Sequence, residues 1–173
     1  MYPKPFLEYL IYFHAERDYF ECHEVLEEYW KEQHLQEKHW VALIQLAVGL
    51  YHHRRGNFVG ALKMLKSSLK QIKKDEITFQ KLHIQTEKLI PLMESRIKKV
   101  ESKTEYTDFN IPLAPELEEQ CKGICYANKQ TWNATSPFDN QFLIHKHTLR
   151  NREDVIKERE YQKKQKQQKR GGS

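Results

Sequence analysis

From Phe6 to Val100 apolar residues recur at helical spacing, and one stretch, Val41 to Tyr51, is apolar on nearly every side, broken by Gln45 alone. A helix without a polar face must be enclosed by other helices or by lipid. This stretch is far shorter than the roughly 20 residues a bilayer crossing takes, so it predicts the central helix of a bundle and no membrane association. With six Gly and six Pro in 173 residues, a turn-rich β architecture is not expected.

The helices around that centre can be read individually. Phe6, Leu7, Leu10, Ile11 and His14 define a first amphipathic helix ending near Ala15 to Arg17. Asp18-Tyr-Phe-Glu21 resembles a capping box and starts a second, running to about Glu32. The central helix, about Lys38 to Arg54, stops at Gly56-Asn57, and Asn57 caps a fourth. In that fourth helix Phe58, Ala61, Leu62, Leu65, Leu69 and Ile72 share one face, while Lys63, Lys66, Lys70, Lys73 and Lys74 occupy the other. A fifth region, Glu76 to Val100, should be kinked or divided at Pro91.

Residues 108–115 read as extended chain wrapping the bundle, with a short helix after Pro115 at its first position. The expected organisation is a helical core over 1–101, an extended wrap with a short helix over 102–143, and a basic tail, helical or disordered, over 144–173. The fold class is all-α: a compact bundle of about five helices.

Charge is unevenly placed. The chain carries +5 overall, but residues 144–170 hold ten Lys/Arg against four Asp/Glu, leaving the remainder slightly acidic. Such a tail can neutralise phosphates or meet an acidic protein surface, so RNA or an acidic protein is the expected partner through 144–170. A single aromatic there, Tyr161, is too few for base stacking. The N-terminus has neither the basic start nor the apolar run of a signal peptide, which points to the cytoplasm, and three cysteines are then expected to stay reduced.

The second helix carries the one cluster that suggests chemistry. Around a helical wheel His23 and Glu27 fall inside the arc formed by Tyr19, Cys22, Val25, Leu26, Tyr29 and Trp30, four residues apart on one face. Polar groups forced into a core must pair, hydrogen-bond or share a metal. Gln45 and His52, on one side of the central helix with Arg55 beyond, could complete the set. The catalytic candidates are therefore His23, Glu24, Glu27, Gln45, His52 and Arg55, and the metal candidates His23, Glu27 and His52. A divalent cation is what such a set could hold, although none is expected. His23-Glu24-x-x-Glu27 shares two residues with the zincin pattern but has Glu for its second His. No phosphate-binding Gly loop or nucleophile elbow occurs. A non-enzymatic interaction module is the preferred reading, and a metal-binding or acid/base hydrolase-like enzyme using a buried His/Glu/His cluster the alternative.

Two resemblances add to this. Residues 49–69, through Gly49, Tyr51, Gly56, Phe58, Ala61 and Leu69, resemble the middle of a tetratricopeptide hairpin without a second repeat, which implies a tight antiparallel pair. Asp18-Tyr-Phe-Glu-x-His-Glu-x-x-Glu-x-x-Trp30, Leu43-Ile-Gln-Leu-Ala47, Tyr51-His52, Gly56-Asn57 and Gly60-Ala61 resemble the domain of unknown function 309 family. That likeness implies a small helical fold and brings no established activity.

Overall fold

In the computed structural model, residues 1–146, 160, 161 and 163–165 are described. The chain divides into two compact units, Met1–Asp139 and Asn140–Ser173. The first is all-helical apart from an isolated bridge between Ile84 and Leu113.

Helix α1 (Lys4–Ile11) widens into a π-helical turn (Tyr12–Glu16) and stops at Arg17, whose left-handed φ of 55° ends it. Asp18 then caps α2 (Tyr19–Glu32) by accepting from the Glu21 amide at 3.1 Å, the first half of the expected box. α3 (Lys38–Arg54) buries most of its circumference, from Trp40 and Ala42 to Tyr51, His53 and Arg54. α2 and α4 (Phe58–Lys74) flank it. Gly56, with φ of 84°, and the Asn57 cap on the Gly60 amide set the α3–α4 turn. The two helices approach closely at Gly49, where a Cβ would stand 2.7 Å from Leu65 Cγ.

The fifth region divides earlier than the proline suggested. α5 (Glu76–Lys81) and α6 (Thr86–Glu101) are separated at Leu82–Gln85, where His83 takes a φ of 63°. Pro91 lies inside α6, so it does not mark the division. Burial explains this: Phe79, Ile84 and Leu89 all reach the core, and the break lets them do so together. α6 packs on α4, and Lys66–Glu101 (3.7 Å) and Lys73–Glu94 (3.8 Å) bridge their exposed faces.

Beyond α6 the chain runs extended, burying Phe109, Ile111 and Leu113, and is tied down by Gln85 N–H to Pro112 O (2.9 Å) and Ala114 N–H to His83 O (2.8 Å). α7 (Pro115–Ala127) begins on its proline and packs on α1. A second strap, 128–139, completes the unit. Cys22, Cys121 and Cys125 are free and buried, and burial pushes the Cys121 thiol up to about 12, so neither charge nor access favours its reaction.

In the second unit Asn140 caps the short α8 (Gln141–Ile144) on the Leu143 amide. Most of the basic tail lies outside the described residues. No helix among those described is long and apolar enough to cross a membrane.

Candidate functional site

α2 turns Tyr19, Cys22 and Leu26 fully inward, and this buried stripe is narrower than the apolar arc of its sequence. His23 and Glu27 fall at its edge, each with a side chain 31% exposed, so the expectation that both enter the core is corrected. Their mutual attraction does not need burial: His23 Nε2 pairs with Glu27 Oε2, His23 Nδ1 lies 3.4 Å from Glu24, and Lys31 holds Glu27 at 2.9 Å. Burial alone would lower the His23 pKa, but the Glu24 hydrogen bond and the Glu27 charge outweigh it and raise it.

Phe20 lies between this group and the end of α3, with ring centroids 6.2 Å from His23 and 6.4 Å from Tyr51. His52 and Arg55 both lie near Tyr51, the imidazole 5.7 Å and the guanidinium 5.8 Å from its ring centre. Gln45 is half-buried further up α3. Among the described residues no three His, Cys, Asp or Glu side chains are grouped where they could hold a metal ion.

The densest polar arrangement lies elsewhere. Arg17, 1% exposed, donates from Nε to Ala134 O (2.7 Å), from Nη1 to Phe109 O (2.6 Å) and from Nη2 to Asn110 Oδ1 (2.7 Å), gripping both straps at once. Arg54 donates to Arg17 O (2.7 Å) and Ser136 Oγ (3.2 Å), and its guanidinium lies 4.6 Å over the Tyr19 ring. Arg96 donates to Thr107 O at 2.6 Å and to Thr107 Oγ1 at 3.0 Å.

Asp108 is the carboxylate hydrogen-bonded into this network. It accepts from the Ser136 amide (2.8 Å), the Ser136 hydroxyl and the Tyr106 hydroxyl (2.8 Å). Because Tyr106 spends its single hydrogen on Asp108, Tyr19 must donate to Tyr106. The Tyr106 ring also lies 5.9 Å from the Arg54 guanidinium and 5.4 Å from that of Arg96. The sequence reading missed these residues. The available signal was Arg54 and Arg96 at helix positions otherwise reserved for the core.

A relative from Bacillus subtilis (strain 168), described as "Uncharacterized protein YpuF", is 45% identical over 163 residues, covering 92% of this chain and 94% of its own. The profile described as "Domain of unknown function (DUF309)" matches residues 6–64. The chain belongs to the DUF309 family. No solved structure matches it. The DUF309 match spans α1 through the first part of α4, so it contains Arg17 and Arg54, while their partners Phe109, Ala134 and Ser136 lie beyond it.

Within the DUF309 segment, His14 shows how the π-helical turn serves the straps. Its Nδ1 lies 2.9 Å from Leu10 O and must carry the hydrogen, since a carbonyl only accepts; Nε2 is thereby left to accept from the Ile111 amide at 3.0 Å. Trp132 stacks on the ring at 4.3 Å, and the Ala134 amide donates to His14 O. Burial drives the His14 pKa down to about 3, so the imidazole stays neutral. The unfolded chain binds a proton below pH 6.5 that the folded one refuses, so this residue makes stability rise with pH between about 3 and 6.5. The half-buried His23, with its raised pKa, acts in the opposite direction. Urea unfolding at pH 5 and pH 7 should show His14 contributing about 2 kcal/mol of extra stability at the higher pH. His14→Gln should shrink the difference, and an unchanged difference would rule out His14 as its source.

Proposed function

We propose that this chain is a non-enzymatic interaction module whose basic tail engages an acidic partner, with RNA phosphates the partner to test first. The observation that carries this reading is the segregation of charge, with ten basic residues against four acidic over residues 144–170 and a slightly acidic remainder. The state of the core supports it. Arg17, His14 and Asp108, the kinds of group an active site would employ, are already committed to holding the two straps. The second reading, acid/base chemistry at His23, Glu24 and Glu27, draws on the pairing of His23 with both carboxylates and the raised His23 pKa that goes with it.

The experiment measures single-stranded RNA binding at low and moderate salt, with full-length chain and with residues 144–170 removed. Binding is expected to ignore sequence, to fall steeply as salt rises, and to be largely lost on truncation. Affinity that survives truncation would move the contact to the core, where the exposed lysines of α4 are the natural place. Absence of binding at low salt would remove RNA as the partner.

A further inference from the structure

Between α6 and the extended chain that follows it, residues 104–114, lies an open cleft of about 340 Å³ whose lining includes several residues that carry hydrogen-bond donors. Arg96, buried to 5% exposure, lines it. Three of its five N–H groups go to Thr107 O, Thr107 Oγ1 and His53 Nδ1. That leaves Nε and one Nη2 hydrogen without a partner among the described residues, the edge of a guanidinium that grips an oxyanion with two parallel bonds. Lys99 adds a second cation and Ser95 a hydroxyl, both exposed on the same helix. Asn110 accepts from Arg17 at Oδ1, which leaves its amide nitrogen as a further donor at the cleft it lines.

The one carboxylate in the lining, Asp108, already accepts from Ser136 and Tyr106. Arg17 and Arg54 stand in the same network, so its single charge is outnumbered by guanidiniums. Buried cations in excess of their carboxylates are stabilised by a bound anion. Leu92 and Phe109 supply an apolar wall that a bare ion would not use. We propose that this cleft binds a phosphomonoester, its phosphate on Arg96, Lys99, Ser95 and Asn110 and its organic group against Leu92 and Phe109.

Thermal unfolding and isothermal titration of the full chain with phenyl phosphate, inorganic phosphate and chloride at matched ionic strength test it. Phenyl phosphate should raise the melting temperature and bind more tightly than inorganic phosphate. Lys99→Gln, on an exposed position that should fold normally, is expected to weaken binding about tenfold. Lys70→Gln, on α4 and outside the cleft lining, should leave it unchanged. No stabilisation beyond chloride, or equal binding by the two lysine variants, overturns the site. Equal affinity for the two phosphates overturns the assignment of an ester.

Discussion

Replacing Arg17 with alanine should destabilise the protein by about 4 kcal/mol, because the buried carbonyl of Phe109 and the half-buried one of Ala134 lose their donor and a large side chain leaves a void. For a chain of this length that corresponds to a fall of roughly 10 °C in melting temperature. Two further variants separate the causes. Arg17→Lys keeps the charge but cannot reach three acceptors from one planar fork, so it should lose nearly as much. Arg17→Gly suits the left-handed backbone and should recover about 1 kcal/mol relative to alanine, without restoring the bonds. A loss below 1 kcal/mol for alanine, measured by urea unfolding, would mean that water replaces the guanidinium and that the other strap contacts, those of His14 and Asp108 among them, suffice.

Asp108→Ala should cost about 3 kcal/mol, since it takes the carboxylate from among Arg17, Arg54 and Arg96 and leaves the Ser136 amide and Tyr106 hydroxyl without their acceptor. It should also change the acid limb of stability. Burial would raise the Asp108 pKa, but the Ser136 and Tyr106 hydrogen bonds and the Arg17 charge together hold it below the ordinary carboxylate value. Its contribution is therefore complete above the unfolded value near 4 and is lost as pH falls through the lower folded one. The variant should lack that final loss while keeping the decline from His14 at higher pH. An acid limb below pH 4 identical to that of wild type would show that Asp108 is not responsible for it.

The bundle was legible because its signals are local. The apolar period, the Asp18 and Asn57 caps and the Gly56 turn each act within a few residues, and α2, α3 and α4 follow from them. The strap was legible only as extended chain. What holds it was not, because Arg17 meets Ala134 across 117 positions and His14 meets Ile111 across 97, and no pattern in either segment encodes the pairing. The His23/Glu27 expectation failed for a different reason. A helical wheel gives the angle of a side chain but not the width of the stripe its neighbours cover, and here Tyr19, Cys22 and Leu26 mark the covered part.

The order in which these partners emerge during synthesis sets the order of assembly. α1 through α4 can pair as soon as they leave the ribosome, since their contacts join segments close in sequence. Arg17, however, waits for acceptors at residues 109, 110 and 134, so the growing chain carries a helical bundle with this guanidinium incompletely met until the second strap is out. Completion of the fold is thus a late, single event governed by the arrival of a dozen residues near the C-terminal end of the first unit. A stalled or cleaved chain that ends before Ser136 would look helical to circular dichroism while lacking the fastening that makes the native state rigid.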